Sequence, residues 1–337
     1  MQGQWRQWVT ALNLDGIIRY WLGGCGVILM LHRVQAVPCA WRGNPGLWVT
    51  RERLQVIITT LRAQGYEFVT LDDALTRRTV RGQSRFACLT FDDGYRDNYE
   101  VALPVLRDLG VPATIYITTG FIDGTALTWW YGVEAIIERY SVLNLCLEDH
   151  EECWPTADPA QKRVAYQQAG QRLHTAAPSV RALAVRNLEQ NYGLDFRQIG
   201  QAQMLTEPML RELAISGLVE LGAHTVSHPV LSALPLAEAR AEMLASKQAL
   251  EALCGQPVRH FAYPYGDRSA VNPATQRLAQ ECGFMSAVLA YGGPVKPDAN
   301  RYALPRLPFG GQDSVEDLRL RASGARALLD RVRHLPC

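Results

Sequence analysis

With 337 residues, 48% of them apolar and 20% charged, the chain can bury a sizeable core as one large domain or two small ones. Its 34 basic and 33 acidic side chains leave a formal net charge of +1. No basic excess recruits nucleic acid, and a charged substrate must be met by local groups. Eight cysteines, Cys25, Cys39, Cys88, Cys146, Cys153, Cys254, Cys282 and Cys337, form no CxxC pair. That argues against a zinc ribbon or redox motif and for buried, reduced thiols in a reducing compartment.

Residues 1–25 read as an amphipathic helix, with Trp5, Trp8, Leu12 and Tyr20 among polar neighbours, ahead of a domain spanning 26–337. Such a helix docks on its own domain or, being rich in Trp and Arg, makes peripheral contact with a membrane. It lacks the cleavage site of a signal peptide. The run "GGCGVILML" is too short to span a bilayer. "VILMLH" (27–32) then reads as a buried strand, followed by a helix from Arg51 capped by Thr50. "EFVTL" and "FACLTF" are strands, and "NYEVALPVLRDLG" is a helix with Asn98 as a cap and Gly110 as its end. "ATIYIT" is a strand that leads into the loop "TGFIDGTALTWW".

Residues 130–205 break this rhythm and are expected to form a helical insertion, with "CWPTADP" as a loop. The alternation resumes with a helix over 207–216, "LVELGAH" as a strand, a helix over 236–253 and "HFAYP" as a strand. A helix over 273–282, the strand "MSAVLA", "YALPRLPF" and a last helix from Val315 complete it. Repeated βα units and no Gly-rich phosphate loop predict an α/β fold, a deformed barrel of about seven strands. Active residues of such barrels sit at the C-terminal ends of strands, where His32, Asp92, Asp93, His224 and Tyr265 fall.

"TFDDG" ends an apolar run on two adjacent carboxylates, which repel and are costly to bury unless paired or bound to a cation. "GAHTVSH" supplies His224 and His228, four apart, a spacing that places both imidazoles on one face if a helical turn follows the strand. Two imidazoles and one carboxylate make three ligands of a zinc-type site with an open fourth position. The other carboxylate is then free to take a proton from an activated water. Co²⁺, Ni²⁺ or Fe²⁺ suit the same ligand set.

Together "TFDDG", "HTVSH" and "FAYPYG" resemble the polysaccharide deacetylase family (carbohydrate esterase family 4) from about residue 27 to 310, apart from the insertion. The resemblance implies Asp92 as catalytic base, Asp93, His224 and His228 as metal ligands, and the Pro264–Tyr265 stretch as a groove wall. The Tyr265 N–H would then serve the oxyanion. Two departures stand out. Phe261 occupies the place of the arginine that orients the base in this family, and Arg306 is the candidate replacement. The late L-x-H stretch that carries the general acid is absent. "MLHRV" fits the early placement of the poly-N-acetylglucosamine deacetylase branch, which makes His32 the acid, with His334 next in line. Trp130, with Trp129, is read either as groove lining or as core of the insertion. His150, His174 and His260 are read as structural.

The implied activity is hydrolysis of N-acetyl groups on amino sugars of a polysaccharide, oligosaccharide or glycan precursor, with one divalent metal, zinc first. The alternatives are an O-acetyl esterase or other amide hydrolase of the same fold, and a non-catalytic carbohydrate-binding relative. Lack of an export signal suggests a cytoplasmic location, at or near the inner membrane face. Oligomeric state is not legible.

Overall fold

The computed structural model describes residues 22–36, 41, 43–80, 84–148 and 150–325. Nearly all of the expected N-terminal helix, the membrane contact assigned to it, and His334 lie outside the described residues. Among the described residues no helix is long and apolar enough to cross a membrane.

The first barrel strand, β1 (Gly26–Leu31), is the run GVILML, apolar without alternation because both faces are covered. A separate parallel ribbon pairs β2 (Arg33–Gln35) with β3 (Trp48–Thr50). Thr50 caps α1 (Arg51–Ala63) by accepting from the Arg53 N–H at 3.1 Å, as expected. The strand expected at "EFVTL" is shorter: β4 is Glu67–Phe68 alone. Thr70 ends it, accepting from the Asp73 N–H and starting α2 (Leu71–Arg77), a helix that sequence reasoning missed. Next come β5 (Phe86–Phe91), a wide turn over Asn98–Ala102, and α3 (Leu103–Leu109), which closes on Gly110 at φ 58°. β6 (Ala113–Ile117), α4 (Thr119–Asp123) and α5 (Trp129–Arg139) lead into the insertion.

The insertion is not wholly helical. Its first part is an antiparallel hairpin of β7 (Val142–Leu147) and β8 (His150–Pro155), so the Cys-Trp-Pro of the expected loop lies in a strand. The physical reason is period-2 alternation: Leu143, Leu145 and Trp154 face inward while their neighbours stay partly or fully exposed. Then follow α6 (Pro159–Thr175), α7 (Pro178–Tyr192) and α8 (Phe196–Gln201). The barrel resumes with α9 (Glu207–Ala214), β9 (Val219–Ala223), α10 (Leu236–Cys254), β10 (His260–Ala262) and α11 (Pro273–Glu281). It ends with β11 (Ser286–Val288), β12 (Leu307–Pro308) and α12 (Val315–Ala322).

The seven strands of the main path run in the order β11-β10-β9-β6-β5-β1-β12, all parallel. β4 pairs with Phe86 and Ala87 of β5, below the stretch Leu89–Phe91 that pairs with β6. Between β11 and the segment leading to β12 there is one bridge, Val288 to Leu304. The sheet is thus curled and partly open, a deformed (β/α) barrel as expected. One large apolar cluster joins the strands to their surrounding helices, while the insertion keeps a smaller core around Ile136, Leu143, Trp154, Leu173, Leu188 and Phe196. All described cysteines are free, but Cys146 and Cys153 are exposed on the hairpin, against the expectation of buried thiols.

Candidate metal centre

β5 delivers Asp92 and Asp93 to the barrel mouth. The Asp92 N–H donates to the Leu31 carbonyl at 3.0 Å, tying the end of β5 to β1. Its carboxylate is gripped from one side by Arg306, whose Nη1 and Nη2 donate to Oδ1 and Oδ2 at 2.7 Å each. Arg306 is 0% exposed, and its other donors reach the Leu289 carbonyl at 2.7 Å and Thr90 Oγ1 at 3.0 Å. Burial by itself raises the Asp92 pKa. The charge and hydrogen bonds of Arg306 outweigh it, with help from His224 and His32, and hold the group at about 2. Phe261, in the place of the family's usual arginine, is buried in the main core.

Asp93 adopts φ 75° and Gly94 φ 84°, a left-handed pair that swings the chain back after the strand. Its Oδ1 lies 3.5 Å from His224 Nε2 and 3.4 Å from His228 Nε2. The two histidines do not sit on a helical turn. They bracket a loop with positive φ at Thr225 and His228. That loop is pinned by Glu242 of α10, which accepts from the N–H groups of Val226 and Ser227 at 2.8 and 2.9 Å. Sequence spacing predicted the convergence but the wrong backbone for it. Glu242 was missed because it lies in α10, remote from any motif.

The trio fits a divalent cation. Tetrahedral ligands about 2.1 Å from an ion stand about 3.4 Å apart, which matches both Asp93–histidine separations. Asp93 Oδ1 is buried with no hydrogen-bond partner among the described residues, an orphan that an ion would satisfy. His224 Nδ1 lies 2.7 Å from the Ala262 carbonyl, and donating there leaves the Nε2 lone pair facing Asp93. Burial pushes both imidazoles down to about 4, against the upward pull of Asp92, so they are neutral at ordinary pH, the form in which an imidazole can hold a cation.

A second trio, Asp72, Glu220 and His260, also brings one ligand atom each within 4.8 Å of the others. It sits at the N-terminal ends of β9 and β10, away from the mouth. His260 is therefore not a lone structural residue: its Nδ1 meets Ser286 Oγ at 2.8 Å and its Nε2 faces Asp72 at 3.2 Å. Nothing in the spacing of these three residues signals their meeting. Clusters of this make-up are of the kind that holds divalent metal.

One cavity of ≈ 350 Å³ is lined by His32, Asp92, Asp93, His224, His228, Trp130 and Tyr265. His32 follows β1, and its carbonyl accepts from Asn98 Nδ2 at 2.8 Å, so Asn98 is a tether for His32 rather than the expected helix cap. Tyr265 has φ 61°, and its N–H donates to no group among the described residues. Pro264 is buried behind it, and its carbonyl accepts from the Gly266 N–H at 2.7 Å. Trp130 Nε1 is buried without an acceptor among the described residues. His174, from the last turn of α6, was read as structural yet lines this cavity, its ring 5.4 Å from that of Tyr265. Only its place on one α6 face with Tyr166 and Gly170, at intervals of four, offered a signal.

The sequence matches the family model for polysaccharide deacetylases over residues 79–168 and 182–287. The chain belongs to the polysaccharide deacetylase family. It is 23% identical over 282 residues to the putative polysaccharide deacetylase YxkH of Bacillus subtilis (strain 168), covering 83% of this chain and 70% of that one. Its fold is similar to that of the Streptococcus pyogenes deacetylase PplD, solved in complex with acetate (TM-score 0.59, 19% identity, 88% and 97% of the two chains). It is also similar to that of IcaB from Ammonifex degensii (TM-score 0.54, 18% identity, 89% and 98%). Family membership and the metal-type cluster support a hydrolase of the deacetylase kind in general terms. The cytoplasmic, inner-face location expected from the N-terminus is corrected: the solved structures that share this fold count against it. The expectation rested on opening residues that lie outside the described ones.

Proposed function

We propose that this protein removes N-acetyl groups from amino sugars of a glycan, releasing acetate and a free amine. The observation that carries the reading is a carboxylate, Asp92, locked by a buried arginine beside a cation-type trio in the same cavity. A divalent ion held by Asp93, His224 and His228, zinc first and Co²⁺, Ni²⁺ or Fe²⁺ next, would acidify a water and polarise the acetyl carbonyl.

Asp92 takes the proton of the attacking water. Its low pKa keeps it ionised, and Arg306 fixes its plane while leaving each oxygen a further lone pair. The Tyr265 N–H, which has no acceptor among the described residues, donates to the carbonyl oxygen as negative charge grows on it. His32 gives a proton to the leaving amine. Supporting this role, it shares the cavity with Asp92 and Asp93, and Asn98 anchors its backbone. The role follows from reading "MLHRV" as the early-placed general-acid stretch. Trp130 supplies an aromatic wall on which a sugar face can stack.

The test combines metal analysis of the purified protein with acetate release from N-acetylated and O-acetylated oligosaccharides. Release from the amides supports the reading. Release from esters alone moves it to an O-acetyl esterase, and bound metal without release from either makes it a binding relative.

A further inference from the structure

The insertion does more than cover the barrel. Beyond the metal cavity lies a second, larger one of ≈ 910 Å³. The two share Trp129, Trp130, His174, His228 and Tyr265 in their linings, so they form one continuous groove that begins at the metal trio. The outer part is walled by α7, which lends it residues 178, 181, 182, 185, 186 and 189. That spacing of three and one is a single helical face. Its neighbouring face, with Ala184 and Leu188, is buried in the insertion's own core. Two arginines of α7, Arg181 and Arg186, therefore line a groove, and Arg197 of α8 joins them.

These cations are largely uncommitted. Arg186 is exposed and has no hydrogen bond or ion pair among the described residues. Arg181 reaches only the carbonyls of Leu173 and His174, at 3.4 and 3.5 Å. Arg197 donates through Nη1 to the Gly124 carbonyl. None of the three forms a salt bridge among the described residues. The groove's two carboxylates are turned to backbone work: Glu189 Oε1 accepts from the Phe196 N–H at 2.9 Å, and Asp195 Oδ1 caps α8 through the Gln198 N–H at 2.8 Å. Arg181 also stands near enough to Tyr265 to pull its hydroxyl pKa down against the rise from burial. The cationic wall thus starts at the rim of the metal cavity.

We infer that this groove is a subsite for an anionic group of the glycan, a carboxylate or a phosphate held by Arg181 and Arg186 while a neighbouring N-acetyl group lies at the metal trio. The inference rests on the deacetylase reading for the second half of that sentence and names its substrate class: an acidic glycan. Guanidinium groups suit both oxyanions because their planar forks match them in geometry. The near-neutral overall charge makes this local wall the means by which such a substrate is met.

The experiment compares three hexasaccharides of equal length: neutral chitohexaose, one alternating N-acetylglucosamine with glucuronate, and chitohexaose bearing a terminal phosphate. Acetate release and calorimetric binding are both measured, in low and high salt, for the wild type and for Arg181→Ala and Arg186→Ala. The expected result is a kcat/KM about tenfold higher for at least one acidic substrate, most of it in KM. Each variant should lower that acidic-to-neutral ratio by about threefold, an equal share of the tenfold preference and within the size of one hydrogen bond. Which acidic substrate gains identifies carboxylate or phosphate. Neutral substrate turned over as well as both acidic ones, or variants that leave the ratio unchanged, overturns the inference while the deacetylase reading stands. Arginine-dependent binding of an acidic substrate with no acetate released sinks the deacetylase reading and keeps the subsite. Neither binding nor release removes both.

Discussion

Replacing Arg306 with methionine tests the centre of the proposed chemistry. The guanidinium is fully buried and makes four hydrogen bonds, two of them to Asp92 at 2.7 Å. It helps lower the Asp92 pKa from 3.8 to about 2 despite burial, a net drop worth roughly 2 kcal/mol. Methionine fills much of the volume but restores no charge. The carboxylate then keeps its burial and loses its main counter-charge, so its pKa rises past the ordinary value. Breaking a buried pair in this way costs about 3–5 kcal/mol of stability. Activity should fall by ~10²–10⁴, the share of a positioned base. The sharper signature is in the pH profile of kcat/KM. The wild type has no acid limb from Asp92 above about pH 4, since the group is ionised there. The variant should gain one at higher pH, as its base protonates. Arg306→Lys, which returns a charge without the fork, should move that limb part of the way back. A folded methionine variant with wild-type activity and an unchanged profile would refute the role of Arg306 and, with it, the claim that Asp92 is a conditioned base.

Asp92→Asn should keep the metal, by elemental analysis, while turnover drops ~10²–10⁴-fold; undiminished turnover moves the base elsewhere. His32→Ala should slow N-acetyl substrates far more than O-acetyl ones, because an amine needs a proton to leave and an alkoxide needs it less; equal losses on both would remove His32 as the acid. The metal-free protein should lose stability as pH falls from 6.5 toward 4. Over that window the unfolded chain protonates His224 and His228, whose folded values are depressed to about 4, so unfolding takes up two protons. The slope is then about 2.7 kcal/mol per pH unit, with stability rising with pH. Urea unfolding at pH 7, 6 and 5 measures it, and a flat series would mean that the two histidines are not buried as neutral imidazoles.

The barrel was legible because its strands are continuous apolar runs closed by motif residues, and because βα alternation leaves few topologies. The insertion was less so. Its Leu143 and Leu145 alternate over a span too short to outweigh the helical pattern of the long segments after it. The helix at Leu71–Arg77 was hidden for a similar reason. A strand reading of "EFVTL" runs straight through Thr70, although the cap itself, with Asp73 three residues on, was there to be read.

For the site, residue types were legible and geometry was not. The histidine pair could be picked out from spacing and Asp93 from the family resemblance, yet the backbone that gathers them uses left-handed residues at Asp93, Thr225 and His228. Non-glycine residues adopt that conformation only when their surroundings over-determine it. Here the surroundings are distant in sequence: Glu242 on α10 holds the histidine loop, and Thr118 donates to the His224 carbonyl at 3.1 Å. Arg306 shows the same logic in reverse. The motif position that would face Asp92 is lost to Phe261, which packs the core, and the charge returns from the residue just before β12, more than two hundred residues beyond Asp92. A carboxylate in that spot needs a buried cation, and the barrel's near-closure puts β12 beside β1, within reach of the end of β5. The demand is set by physics at Asp92; which segment meets it is set by topology, and a sequence motif records only the first.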